Sequence, residues 1–139
     1  MKKVWEKGNL PKSDAQKPSG GSNATCNLRL SQAGYRDNEG SKIDQTKYFR
    51  ENVFKDCKWE KTENGERTTI NSEIEIDGNV KGTFQLKVTH ELHRESNQDN
   101  VTTILHWGSA SDVITEIDIS GKKLELYQND DNTFKISIS

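Results

Sequence analysis

Apolar and polar residues alternate in short runs along this chain, and these runs predict strands. A period of two places every second side chain on the same face of a sheet. The alternating segments are 4–10, 25–31, 57–61, 69–76, 80–88, 101–107, 122–127 and 133–138. The first is a short strand or an edge segment, so the pattern predicts about seven strands in all. The inner face is expected to carry Ile74, Ile76, Phe84, Leu86 and Val88.

Turn residues separate several of these runs. Asn64-Gly65 and Asp77-Gly78-Asn79 are typical of tight hairpin connections, and residues 129–132 (Asn-Asp-Asp-Asn) predict a third turn. These positions indicate that consecutive strands pair in an antiparallel manner.

Helical spacing occurs at two places. Asp44 is a candidate cap for a first helix, in which Tyr48, Phe49, Val53 and Phe54 recur at near-helical intervals. Its aromatic side chains are expected to plug one end of a barrel. A second short helix is predicted within 111–117. The pattern therefore predicts a mostly β fold: a small, mainly antiparallel barrel of about seven strands with two short helices.

The bulk composition allows one domain with a thin core. The chain has 139 residues, 29% of them hydrophobic, and a mean hydropathy of −0.98. We expect the side chains of Trp5, Trp59 and Trp107 in that core. Residues 1–139 are taken as a single domain.

Compartment and thiol chemistry are predicted from what the sequence lacks. The start, Met1-Lys2-Lys3, is followed by no apolar signal segment, and no run is long enough to span a membrane. A reducing cytoplasm is therefore expected. Cys26 and Cys57 fall in apparent strands with no motif around them, so we expect two buried free thiols.

Charge is unevenly distributed although the net charge is only −2. Residues 1–31 contain six basic and two acidic residues, a balance of +4, and the remainder carries −6. Ordinary surface charge is one explanation. The other is that the basic segment faces an anionic partner, to which Lys2, Lys3, Lys7 and Arg29 would add phosphate contacts.

Two long polar loops hold the candidate binding residues. The first arm covers about 12–25 and the second about 89–102, and both are rich in side chains that read base edges and phosphates. The first-arm candidates are Lys12, Ser13, Asp14, Gln16, Lys17, Ser19, Gly20, Gly21, Ser22, Asn23 and Thr25. The second-arm candidates are His90, His93, Arg94, Ser96, Asn97, Gln98, Asp99, Asn100 and Thr102. Two solvated loops without a partner are the alternative interpretation.

Two segments resemble a known family. Leu10-Pro11-Lys12-Ser13-Asp14, followed by a glycine-rich stretch, is similar to the opening of the first arm in DNA-binding pseudobarrels. Residues 96–108 resemble the end of the second arm and the strand after it. The resemblance implies a mostly β, seven-stranded, open and mainly antiparallel pseudobarrel with two short helices. This fold is shared by plant B-three transcription-factor domains and by recognition domains of some restriction endonucleases. The resemblance is to the EcoRII amino-terminal domain and the BfiI and NgoAVII carboxy-terminal domains.

The resemblance implies a function and a partner. The two arms would clamp the major groove of double-stranded DNA and read its sequence, and cleavage would belong to a separate nuclease domain or subunit. The chain itself would be no enzyme and would need no cofactor. Its negative net charge departs from what high non-specific DNA affinity requires.

Other chemistries are weaker on the residues alone. His90 and His93 are spaced by three positions, whereas the helical zinc motif needs four. Residues 129–132 could offer oxygens to calcium, but a tight turn explains them. A β-barrel module for a carbohydrate or protein ligand is the first rival, which predicts salt-insensitive binding and a concave aromatic patch. An acid–base hydrolase with paired carboxylates or histidines is the second.

Overall fold

A computed structural model of the chain describes residues 1–10, 27–32, 35–36, 39–63, 65–91, 102–115 and 119–139. The strands are β1 (Lys2–Lys7), β2 (Asn27–Leu30), β3 (Glu60–Lys61), β4 (Glu66–Ile76), β5 (Asn79–His90), β6 (Thr103–His106), β7 (Leu124–Gln128) and β8 (Phe134–Ile138). The helices are α1 (Phe49–Val53) and α2 (Ser111–Thr115), the latter preceded by a 3-10 turn at Gly108–Ala110. The sheet is a curled, open half-barrel, which confirms the predicted fold class.

The strand order is β1-β7-β8-β4-β5-β6-β2, with β3 attached to β4 outside this path. All pairs are antiparallel except β4 with β8, which run parallel. The longest ladder joins β4 and β5, whose two-residue connection has positive φ at Asp77 (52°) and Gly78 (84°). Positive φ at both positions matches the right-handed twist of the strands, which explains this hairpin.

Side chains hold the two edge strands together across the opening of the half-barrel. The indole Nε1 of Trp5 on β1 donates to the carbonyl of Ser31 just beyond β2, over 2.8 Å. Lys7 Nζ donates to the carbonyl of Arg29 over 3.3 Å. Among the described residues no backbone ladder joins β1 to β2. Side-chain hydrogen bonds therefore bridge the opening in the described part of the chain.

The core fills the concave side of the sheet. Trp5, Trp107, Phe49, Phe54 and Phe134 are its largest fully buried side chains. Trp5 and Phe49 meet edge to face at 5.6 Å between ring centroids. The core role predicted for Trp5 and Trp107 is confirmed, and Trp59 is half-buried.

The inner face of the β4–β5 hairpin is nearly as predicted. Ile74, Ile76, Leu86 and Val88 are buried, and Phe84 is half-buried. Alternation along β5 therefore separates an inner set from an outer set whose side chains face solvent.

Helix α1 is a single π-helical turn. The N–H of Phe54 donates to the carbonyl of Phe49, five residues earlier, over 2.8 Å. The predicted cap is wrong for this helix: the residue before it is Tyr48, which makes no side-chain cap hydrogen bond. The Asp44 carboxylate instead accepts from the N–H of Thr46 over 3.0 Å in the turn that precedes the helix. Phe49 and Phe54 are both buried, as expected of a plug.

The strand predicted at 57–61 is shorter than expected. Only Glu60–Lys61 pairs with β4, and Cys57 lies in a bend with its N–H bonded to the carbonyl of Phe54 over 3.1 Å. Cys57 is a free, half-buried thiol outside any strand, which corrects its predicted strand position. Cys26 lies outside the described residues.

Candidate nucleic-acid interface

The second polar loop leaves the sheet between β5 and β6. Its base is closed by the N–H of Glu91, which donates to the carbonyl of Thr102 over 2.9 Å. Residues 92–101 lie outside the described part of the chain. The second-arm candidates in that segment are His93, Arg94, Ser96, Asn97, Gln98, Asp99 and Asn100. The loop therefore has a defined base, and the predictions for these side chains stay predictions.

The first polar loop connects the end of β1 to β2. Leu10 is buried, its N–H donates to the carbonyl of Lys122 over 2.9 Å, and its carbonyl accepts from Gly121 over 2.8 Å. Segment 11–26 lies outside the described residues, and with it all first-arm candidates from Lys12 to Thr25. This loop also leaves from a fixed point and returns at Asn27.

The two loop bases flank a short stretch of sheet. Strand β2 begins at Asn27, opposite His106, and ends at Leu30, opposite Thr103. The second loop rejoins the sheet beside Thr103, so Asn27 lies about 10 Å from that base at the strand rise of ~3.3 Å per residue. The two loops therefore join this stretch of sheet at opposite ends of the β2–β6 ladder.

Between the loop bases lies a face of the sheet that points away from the core, here called the outer face. Two rows of cross-strand partners form it. The rows are Arg29, Ile104, Thr89 and Arg67, and Asn27, His106, Lys87 and Thr69. Thr89 Oγ1 and His106 Nε2 are hydrogen-bonded at 2.9 Å. The outer face thus combines cations with side chains that donate and accept hydrogen bonds.

The cations of the outer face differ in their pairing. Arg67 is exposed and bonds Glu60 through its Nη2 at 3.4 Å. Lys87 is exposed, and among the described residues it has no ion-pair partner. The charge of Lys87 is therefore more available to an anionic ligand than that of Arg67.

A groove of about 660 Å³ continues the outer face across β4. It lies beside residues 68–71 of β4, which have a strand neighbour on one side only. On the other side of β4, β3 pairs with Glu66 and Arg67, and β8 pairs with the residues from Ser72 onwards. Lys58 and Lys87 are among its lining residues, with Asp56 and Glu60 as acidic members. In an antiparallel ladder alternate residues direct their N–H and C=O groups away from the partner strand. The groove therefore offers main-chain groups as well as lysines.

His90 is the one second-arm candidate, besides Thr102, that the structure describes. It is the last residue of β5, only 6% exposed, and its Nδ1 lies 2.9 Å from Thr103 Oγ1. Burial lowers the pKa of His90, although the nearby Glu66 carboxylate acts in the opposite direction. Thr102 is fully buried. Both side chains are buried at the base of the loop, and their predicted contact with DNA stays a prediction.

The structure also describes two further side chains that are predicted to contact phosphates, Lys3 and Arg29. Lys3 Nζ lies 2.7 Å from Glu6 and 3.3 Å from Glu125, and the hydrogen bond to Glu6 is the main cause of its raised pKa. These ion pairs engage Lys3 on β1, beside β7. Arg29 lies on the outer face itself, between the loop bases.

The metal and thiol chemistries considered from the sequence can be compared with the described residues. No cluster of three His, Cys, Asp or Glu side chains suited to a metal occurs there. The turn at 129–132 is closed by the N–H of Asn129, which donates to the carbonyl of Thr133 over 2.8 Å, and Asp131 Oδ1 accepts from Thr133 Oγ1 over 2.6 Å. Burial raises the pKa of the Cys57 thiol, which makes it a poorer nucleophile.

Searches of protein-family models, curated proteins and solved structures found no match. In the described part of the chain no helix has the length and apolar character needed to cross a membrane.

Sequence reasoning missed the outer face because the loops carried the obvious polar clusters. Its signal was nevertheless present in the strands. Positions 85, 87 and 89 of β5 are Gln, Lys and Thr, and positions 67, 69 and 71 of β4 are Arg, Thr and Asn. These are the outward positions of the same alternation that defines the core, so their side chains could have been assigned to one surface.

Proposed function

We propose that this chain binds double-stranded DNA in a sequence-specific manner, with its two polar loops in the major groove. One observation carries the proposal: both loop bases flank an outer face that carries Arg29, Arg67, Lys87 and His106. Cations on a sheet face between two arms are suited to phosphates, while the arms supply base-reading side chains. The family resemblance of residues 10–14 and 96–108 supports the same function.

The proposal assigns separate roles to the two parts of the surface. The outer face and the groove hold the DNA backbone through Lys87 and its neighbours, independently of sequence. Arg94, Asn97, Gln98 and Asn100 read base edges from the second arm, and the first arm adds Lys12, Asp14, Gln16 and Lys17. The negative net charge keeps binding away from the outer face weak, which limits non-specific contacts.

The cellular role that fits best is target recognition for a cytoplasmic restriction endonuclease. In that role the chain supplies specificity, and a nuclease domain or subunit supplies cleavage.

The experiment is selection of bound duplexes from a random pool at about 0.1 M salt, followed by sequencing. Enrichment of a motif of a few base pairs is expected. Retention without enrichment would leave only backbone binding. No retention even at lower salt, together with salt-insensitive binding of a sugar or a protein, would replace this proposal by a carbohydrate- or protein-binding module.

A further inference from the structure

A continuous set of contacts links helix α1 to the β3–β4 hairpin. The Arg50 guanidinium donates two hydrogen bonds to the Glu66 carboxylate, from Nε to Oε1 over 3.1 Å and from Nη2 to Oε2 over 3.2 Å. Its central carbon also lies 4.6 Å from the ring centroid of Trp59. A two-pronged ion pair combined with ring stacking fixes both partners more firmly than a single contact does. Arg50 therefore joins α1 to two positions of the hairpin.

The same contacts continue to the base of the second loop. The Trp59 ring meets His90 nearly edge to face, with centroids 6.3 Å apart, and its Nε1 is fixed on the carbonyl of Phe54 at 2.9 Å. His90 in turn bonds Thr103 across β5 and β6. The next pair outward is Glu91 with Thr102, whose backbone hydrogen bond closes the loop. The last described contact of this set is thus the point from which the loop departs.

The hairpin also approaches the loop base directly. A Cβ on Gly65 would collide with the carbonyl of His90 and lie within 3.0 Å of Glu91 atoms. Only glycine allows this approach of the turn to the loop base. Glu66, which follows Gly65, is the cross-strand partner of His90. A displacement of Glu66 would therefore be transmitted to the residues that carry the loop.

We propose that Arg50 is a positioning residue for the second loop, acting through Glu66, Trp59 and His90, and that it thereby sets the base preference of that loop. The part concerning base preference rests on the proposed DNA function. The part concerning the loop base concerns the free protein and is independent of any ligand. Arg50 itself lies on the core side of the sheet and is assigned no contact with DNA.

The test compares Arg50→Gln with Lys135→Gln. Lys135→Gln is a suitable control because it also removes partly buried ion pairs. Lys135 Nζ lies 3.7 Å from Glu73 Oε2 and 3.4 Å from Glu75 Oε1, far from the loop. Amide hydrogen exchange of Glu91 in the free protein is the first measurement. We expect Arg50→Gln to accelerate it about tenfold, as loss of a charged, two-pronged hydrogen bond implies, and Lys135→Gln to leave it unchanged. Arg50→Lys keeps the positive charge but cannot form the two-pronged hydrogen bond, so exchange of the Glu91 amide should occur at an intermediate rate.

Selection from random duplexes is the second measurement. Arg50→Gln should reduce enrichment at the bases read by the second loop and leave retention of bulk DNA at low salt unchanged. Unchanged exchange of Glu91 would overturn the positioning role, and faster exchange with an unchanged motif would overturn the specificity role. Absence of a motif with the unaltered protein would instead count against the proposed function. Retained exchange protection at Ile136 in β8 verifies that the variant is folded, and Glu66→Gln provides a second variant should it not be.

Discussion

Replacing Lys87 by Gln gives a quantitative test of the outer face. Lys87 is exposed, lies between the loop bases and has no ion-pair partner among the described residues, so its charge is available to a phosphate. Each phosphate neutralised contributes about 0.9 to the slope of log K against log salt. Lys87→Gln should therefore reduce that slope by about 0.9. Extrapolated to 0.1 M salt, one such contact corresponds to an affinity loss of about eightfold that vanishes near 1 M.

The assay is fluorescence-anisotropy titration of one duplex at several salt concentrations, with Lys81→Gln as the matched control. Lys81 lies on the same strand, six positions away towards the far end, or about 20 Å at the strand rise. The control should leave both slope and affinity unchanged. An unchanged slope for Lys87→Gln, or an equal loss for both variants, would refute the assignment of the outer face to phosphates. Neither change should alter stability by more than about 0.5 kcal/mol, since both are surface positions.

Three further predictions concern the described core and the two arms. Burial lowers the pKa of His90 below that of the unfolded chain, so the unfolded state binds the proton first as the pH falls. The free energy of unfolding should therefore rise with pH between the folded pKa and about 6.5. Denaturant titrations at several pH values should show a smaller dependence of this free energy on pH for His90→Gln. Glu66, Arg50 and Glu51 are the charges that act on this ring, so the comparison requires the three to be intact. Trp5→Phe removes the indole hydrogen bond to Ser31 and part of a fully buried ring, and should cost about 2–3 kcal/mol in the same titrations; a cost below about 0.5 kcal/mol would mean that the opening is held by other contacts. Arg94→Ala should relax the preference at one base pair and cost about 1–3 kcal/mol of binding free energy there, whereas Lys17→Ala should weaken binding to all sequences alike. Selection experiments that show neither effect would exclude the arms as readers of the base sequence.

The strands were predictable because alternation and turn residues agreed. The β4–β5 hairpin follows from Ile74, Ile76, Leu86 and Val88 together with the Asp77-Gly78 turn. The strand at 57–61 was overestimated because tertiary contacts compete with its pattern. The Trp59 indole is bonded to the carbonyl of Phe54 and lies under Arg50, and Cys57 turns back towards the same carbonyl. A pattern of alternating residues does not report these contacts, which the segment makes with the helix just before it.

The sequence indicates which polar residues cluster in the candidate site, but not which of them lie on the same surface. His90 was assigned to a loop because it begins a polar run, yet it continues the inward positions of Leu86 and Val88 and is the last residue of β5. Its polar ring is tolerated inside because Thr103 supplies a hydrogen-bond partner. The outer face required knowledge of which strands are neighbours. Arg29 and Lys87 are 58 positions apart in sequence and come onto one surface only through β6.

The pairing of β1 has a consequence for how the chain folds. Its only ladder among the described residues is with β7, where Lys2 faces Gln128, almost the whole length of the chain away. A growing chain on the ribosome cannot form this pair until the last hairpin has left the exit tunnel, whereas the β4–β5 hairpin can form from neighbouring residues. Contacts of such high sequence separation slow folding because a long loop must be closed first. Until that closure the amino-terminal strand, with Trp5 and the base of the first loop, lacks its described ladder partner, so the point from which the first loop departs is fixed late in folding.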